Sequence, residues 1–161
     1  MRAGSKGFSL IELLIVVAII LVIAAIAIPN FLRSRVAANQ ASAVASLHTL
    51  EIAEATYAST YGAGYSINMQ YLASPTTAGA NPTSTAAGLI DSALASGTKS
   101  GYSFEYSPGT ADATGRINNF NFSAVPISSS TGTNCYYTDE SGVIRLNATT
   151  NASSTDSPVG G

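Results

Sequence analysis

Glu12 is the residue whose chemistry most needs an explanation, because it is the single ionisable side chain in a long apolar run. From Phe8 to Ile28 every other residue except Ser9 is apolar. A carboxylate in a lipid-facing helix opposes insertion by roughly 3 kcal/mol, and by less near the helix end. Such a group needs a partner, and a cation supplied by another chain would remove the unpaired charge.

Few other residues have a spacing that suggests chemistry. His48 is the only histidine and lies in a helical pattern, so we predict a packed or solvated side chain. Asp139 and Glu140 precede Ser141-Gly142, which predicts a hairpin turn in preference to a cation site, since hard cations require about six to eight oxygens. We therefore predict no catalytic residue, no metal and no cofactor, and a protein that is not an enzyme.

The apolar run is long enough to cross a membrane. At about 1.5 Å per helical residue it spans roughly 30 Å, the thickness of the hydrocarbon core. Arg2 and Lys6 precede the run, and no acid accompanies them. The positive-inside rule then places residues 1–7 in the cytoplasm and the rest of the protein outside it.

Common alternatives explain this segment less well. Secretory signals have apolar regions of about 7 to 15 residues, shorter than this one, and cleavage after Ala27 would leave Ile28-Pro29 at the new terminus. A lipoprotein signal is excluded here, since no cysteine precedes Cys135. A plain single-pass anchor leaves Glu12 without a purpose.

The sequence Gly7-Phe8-Ser9-Leu10-Ile11-Glu12-Leu13-Leu14 resembles the processing motif of the type IV pilin and type II secretion pseudopilin superfamily. The resemblance implies a leader over residues 1–7, cleavage after Gly7 by a membrane peptidase, and methylation of the new amine on Phe8 by the same enzyme. It also implies that Glu12 pairs with the N-terminus of a neighbouring subunit during assembly. Pro29 fits the family pattern as well.

Residues 30–61 contain no glycine or proline and many alanines, which predicts a helix continuous with the membrane-spanning segment 8–29. Pro29 lies inside this helix and predicts a kink near residues 25–29. A stripe of larger or apolar residues should pack on a head domain: Val36, Ala43, Leu47, Leu50, Tyr57 and Tyr61. Arg33 and Arg35 should lie just outside the membrane, meeting lipid phosphates, solvent or an acid of a neighbour.

The remaining sequence predicts a small α+β head. Residues 62–100 are rich in Gly, Ala, Ser, Thr and Pro and form a variable connection, with one short helix over 87–95. Residues 101–147 contain alternating aromatic stretches and the 139–142 turn, which predict an antiparallel sheet of three to four strands. The polar end, residues 148–161, should be loosely held.

Charge and cysteine content limit the partners. The net charge is −2 and no basic patch is present, so we predict no nucleic-acid partner. Cys135 is the single cysteine, so no intramolecular disulfide can form, although many type IV pilins have one in a C-terminal loop. We expect burial of this thiol in the sheet. The calcium-binding loop that the resemblance suggests for major secretion pseudopilins lacks a convincing ligand set here.

Taken together, the sequence predicts a prepilin that anchors in the inner membrane with its head outside the cytoplasm and then assembles into a helical homo-oligomeric filament at the cell surface. The resemblance implies two protein partners, the prepilin peptidase and methyltransferase and an inner-membrane assembly platform. It implies roles in adhesion or twitching motility. The alternatives are a type II secretion pseudopilin that serves protein export and a monomeric membrane-anchored binding domain.

Overall fold

The computed structural model describes residues 7–77 and 79–160. The first six residues of the predicted leader, with Arg2 and Lys6, lie outside the described residues, as do the last residue of the polar end and one residue of the 62–100 connection. The chain divides after Arg35 into two compact units, which are described separately.

One helix, α1, extends over Leu10–Tyr61 and comprises 52 residues, as the sequence predicts. Pro29 lies inside it without interrupting the helix. In the first unit the large apolar side chains are exposed, with Leu10 at 79% and Phe31 at 67%. This part of α1 is long and apolar enough to cross a membrane. The kink near Pro29 stays a prediction.

In the second unit the predicted stripe on α1 is confirmed as the helix side of the core. Its central members, Ala43, Leu47, Leu50 and Tyr57, are buried. The end members of the stripe are partly buried. Thus the helix contributes one face of the head domain's core, as amphipathic helices do.

The sheet has six antiparallel strands in sequence order, so the predicted number of three to four is wrong although the architecture is confirmed. The strands are β1 (Thr98–Lys99), β2 (Tyr102–Pro108), β3 (Phe120–Pro126), β4 (Cys135–Asp139), β5 (Arg145–Asn147) and β6 (Ser157–Pro158). β1 and β6 contain two residues each, too few to give a recognisable alternation of apolar and polar residues. The sheet edges were therefore missed.

The polar end of the chain is attached to the sheet, so the prediction that it is loosely held is wrong. β6 pairs with β5, with Leu146 opposite Ser157. Asp156 accepts hydrogen bonds from the Ser153 backbone N–H at 2.7 Å and from Asn147 Nδ2 at 2.9 Å. Polar side chains that bond to one another fix this segment, which composition alone could not indicate.

The connection between helix and sheet contains a 3₁₀ helix, Met69–Leu72, and a short helix α2, Ser92–Ala95. The predicted helix over 87–95 is too long, because Ala87 and Leu89 donate backbone hydrogen bonds to Tyr71 and Leu72 instead. Asp91 then caps α2 by accepting from the Leu94 N–H at 2.8 Å.

The core of the head lies between one face of the sheet and the α1 stripe. Alternate residues of the central strands point into it, as period-two patterning requires: Tyr102, Phe104, Phe120, Phe122, Ala124, Tyr136 and Thr138. The aromatic rings contact one another, with Tyr106 and Phe122 centroids 4.7 Å apart. The predicted aromatic face of the sheet is thereby confirmed.

Candidate assembly site

The first turn of α1 holds the predicted assembly residue Glu12. The Ser9 backbone N–H donates to Glu12 Oε2 at 2.9 Å, and the Leu13 N–H donates to the Ser9 carbonyl at 3.3 Å. Ser9 thus occupies the N-cap position, and Glu12 at the third helical position reaches back to it, as in a capping box. Among the described residues no cation forms an ion pair with Glu12.

The predicted cleavage point lies directly before this turn. Gly7, Phe8 and Ser9 have no helical structure, and α1 begins at Leu10. A Cβ built on Gly7 would meet no atom within 4 Å, and the Phe8 side chain is 85% exposed. The predicted cleavage bond between Gly7 and Phe8 therefore lies in the non-helical segment directly before α1, four residues before Glu12.

An apolar surface follows on the same helix. Six side chains at helical spacing line a shallow groove of about 410 Å³: Leu10, Leu13, Leu14, Val17, Ala18 and Leu21. Their spacing of three or four residues places them along one side of α1. This groove can contact either lipid or an apolar helix.

Pro29 removes one helical N–H, and the side chains beside it make local bonds. Asn30 Nδ2 donates to the Ile26 carbonyl at 3.1 Å, and Ser34 Oγ donates to the Asn30 carbonyl at 3.0 Å. Arg33 and Arg35, which follow, are exposed, and in the described part of the chain neither forms an ion pair.

A buried polar cluster in the head was missed by sequence reasoning. Glu54 is fully buried, and its carboxylate accepts from the Ser66 N–H at 2.9 Å and the Ser66 hydroxyl at 2.6 Å. The Tyr106 hydroxyl donates to the Ser66 carbonyl at 2.7 Å. Burial raises the pKa of Glu54 above its ordinary value, while the hydrogen bonds from Ser66 oppose that rise. The cluster joins α1, the loop after it and β2.

A signal for this cluster was present in the helical spacing. Glu54 lies four residues after Leu50 and three before Tyr57, which places it on the buried stripe. A carboxylate at such a position requires buried hydrogen-bond donors. Its donors come from Ser66, twelve residues later, and spacing could not identify that partner.

Stability of the head should depend on pH through Glu54. A carboxyl group whose pKa is raised in the folded state stabilises that state most below its ordinary pKa of 4.5, and this contribution is lost as pH rises through the folded-state pKa. Each unit of pKa increase corresponds to about 1.4 kcal/mol. Relative to Glu54→Gln, the wild-type free energy of unfolding should therefore fall as the pH rises above about 4.5.

Denaturant unfolding of the full chain in detergent, followed by tyrosine fluorescence, measures this difference. Glu140→Gln is the matched control, since Glu140 is exposed in the turn. Parallel pH profiles for wild type and Glu54→Gln would contradict the assignment.

The other candidate residues from the sequence are His48, Asp139 and Cys135, and each makes ordinary contacts within the fold. His48 is exposed, with Nδ1 3.2 Å from Glu51 Oε2. Asp139 begins the predicted turn, whose Gly142 N–H donates to the Asp139 carbonyl at 3.0 Å. Cys135 lies in β4 but is only partly buried, because it alternates with the buried Tyr136. Over residues 7–77 and 79–160 no three His, Cys, Asp or Glu residues are grouped to hold a metal.

Comparison with known proteins places the similarity at the N-terminus. The family profile described as the prokaryotic N-terminal methylation motif matches residues 2–28. The type IV major pilin protein PilA of Myxococcus xanthus is 47% identical over 53 residues, which is 33% of this chain and 24% of that protein. The type IV wide pilus major component PilA4 of Thermus thermophilus is 53% identical over 45 residues, 28% of this chain and 34% of that protein.

These alignments therefore span about a quarter and a third of the two relatives' own lengths. No solved structure gave a significant match. The family profile covers the methylation motif and α1 as far as Ile28, while the sheet of the head lies outside it.

Proposed function

We propose that this chain, whose N-terminal segment is homologous to those of type IV major pilins, is a structural subunit of a type IV pilus and not an enzyme. The observation that carries the proposal is the arrangement of Gly7, Phe8 and Glu12. Gly7 precedes the first turn of α1, and the one carboxylate in the apolar run from Phe8 to Ile28 has no cation partner among the described residues.

Processing would create the missing cation. Cleavage after Gly7 leaves an ammonium on Phe8, which methylation keeps positively charged. Among the described residues of the single chain, the Glu12 carboxylate accepts only the Ser9 N–H. An ammonium from a neighbouring subunit would give a charge-assisted hydrogen bond, which is stronger than a neutral one and removes an unpaired charge from apolar surroundings. This ion pair would therefore stabilise the contact between two subunits.

The exposed first half of α1 provides the assembly surface. Its side chains face lipid before assembly and the same helices of other subunits afterwards. Lipid and helix are equally apolar, so packing and dispersion forces would drive the exchange, not the hydrophobic effect. The groove that contains Leu13, Val17 and Leu21 is suited to receive side chains of an adjacent helix.

The head would lie outside the cytoplasm and form the filament surface. The membrane orientation follows from Arg2 and Lys6 on the cytoplasmic side. The prepilin peptidase and methyltransferase and an inner-membrane assembly platform are the partners that this function requires, and adhesion and twitching motility are the roles it serves.

Electron microscopy of material sheared from the cell surface, with mass spectrometry of the filament subunit, tests the proposal. The expected result is a filament whose subunit begins at N-methylated Phe8. A cell lacking the chain is the control. Retention of residues 1–7 in the filament would contradict the processing step, and a processed chain that stays in the envelope without external filaments would favour the secretion pseudopilin.

A further inference from the structure

A groove of about 440 Å³ lies beside the outer edge of β2. β1 pairs with only the first two residues of β2, Tyr102 and Ser103, so the later part of this edge has no strand beside it. Residues 104–108 form one side of the groove and residues 67–70 the other, with residues 96–97 at one end. An uncovered edge of this kind exposes backbone donors and acceptors.

The hydrogen bonds of β2 determine which backbone groups face the groove. The Gly109 N–H donates to the Asn119 carbonyl at 2.8 Å, so odd-numbered residues direct their backbone groups toward β3. The Phe104 N–H donates to the Gly97 carbonyl at 2.7 Å, on the opposite edge. Since backbone groups alternate along a strand, the N–H and carbonyl of Tyr106 point into the groove.

These groups have no partner within the chain as described, residues 7–77 and 79–160. Within these residues we find no hydrogen bond from the Tyr106 N–H and none to the carbonyl of Tyr106 or Phe104. Pro108 has no N–H and ends the series. Gly97 lies opposite Phe104, so the groove presents the donor and the acceptor of Tyr106, which an extended peptide backbone complements.

The side chains around the groove differ on its two faces. The Tyr106 hydroxyl bonds to the Ser66 carbonyl, so the loop that contains Ile67 lies on the face of the even-numbered side chains. Ile67 is 60% exposed there. Glu105 lies on the other face, is exposed, and is the only carboxylate among the residues lining the groove. A matching strand would alternate apolar and basic side chains.

We propose that this groove binds an extended segment of a partner protein with alternating apolar and basic side chains, which adds to β2 as a further antiparallel strand. A second copy of this chain fits less well. Its connection over residues 74–86 has two prolines and no lysine or arginine. The proposal is independent of the pilus function and concerns the head alone.

The test uses the full chain in detergent micelles and the peptide acetyl-Val-Lys-Val-Lys-Val-amide. Hydrogen exchange of individual amides is followed by nuclear magnetic resonance. In the free chain the Tyr106 N–H should exchange much faster than the Phe104 N–H, which has a partner. Saturating peptide should slow Tyr106 exchange about tenfold or more, as one new hydrogen bond of roughly 1.5 kcal/mol predicts.

Two controls test the backbone hydrogen bonds and the contribution of Glu105 separately. The same peptide N-methylated at its three valines lacks the donors that face β2, and it should give no protection. Glu105→Gln should weaken peptide binding by about twofold to fivefold, the range for an exposed ion pair, whereas Glu140→Gln, whose side chain does not line the groove, should not.

Three results with the unassembled chain would overturn the proposal. They are no protection of Tyr106 by the unmodified peptide, equal protection by the methylated peptide, or a Tyr106 N–H that is already protected in the peptide-free chain. Protection of Tyr106 in assembled material without peptide would assign the groove to a second copy and overturn the partner proposed here.

Discussion

A strain whose only copy of this chain carries Glu12→Gln should produce no surface filaments, although the variant inserts in the membrane and loses its leader normally. Glutamine can still accept the Ser9 N–H, which Glu12 Oε2 accepts at 2.9 Å, so the capping interaction is kept. The negative charge is lost, and with it the charge-assisted bond to the amine of a neighbouring Phe8. Filaments counted by electron microscopy, with the processed chain quantified in membranes, give the result.

The matched variants separate the two roles of Glu12. Glu12→Ala removes both the cap and the charge and should fail in the same way. Glu140→Gln removes an exposed carboxylate in the 139–142 turn, outside α1, and it should assemble. If Glu12→Gln forms normal filaments while Glu12→Ala does not, Glu12 acts as a helix cap and the pairing with Phe8 is wrong.

Gly7→Arg should abolish leader removal, and we expect all of the chain to remain at precursor length. The folded chain itself tolerates a side chain at Gly7, since an added Cβ meets no atom within 4 Å. The effect must therefore arise in the peptidase, which has to fit the residue before the cleaved bond. A long cationic side chain also places charge at the start of the apolar segment, where desolvation is costly.

Mass measurement of the membrane-bound chain distinguishes the precursor from the processed form. Gly7→Ala adds one methyl group and should be processed to a larger extent than Gly7→Arg. Lys6→Arg keeps the charge beside the site and should be processed as in the wild type. A mature-length chain beginning at Phe8 in the Gly7→Arg strain would show that cleavage does not depend on Gly7.

The Gly7→Arg and Glu12→Gln variants should fail at different stages. Loss of processing leaves precursor in the membrane, whereas loss of the Glu12 charge leaves processed subunits that do not assemble. Because the two stages are measured on separate products, a result for one does not decide the other.

The sequence by itself determined the long helix of the protein. An uninterrupted apolar run, a single carboxylate and a glycine-free continuation are local features, and helical spacing converts them directly into a long helix with a buried stripe. The aromatic face of the central strands followed from the same logic with a period of two. The hairpin turn at Asp139 was also predictable, since turn residues act locally.

Only the tertiary structure decided the edges of the sheet and the partners of buried polar groups. β1 and β6 exist because neighbouring strands pair with them, and two residues carry no periodic signal. The Glu54 carboxylate could be placed on the buried stripe, yet its donors on Ser66 come from a loop whose path depends on the fold. Likewise, the backbone groups of Tyr106 became available because β1 begins only at Thr98, opposite Ser103. Hydrogen bonds between distant segments follow from chain topology, which residue periodicity does not specify.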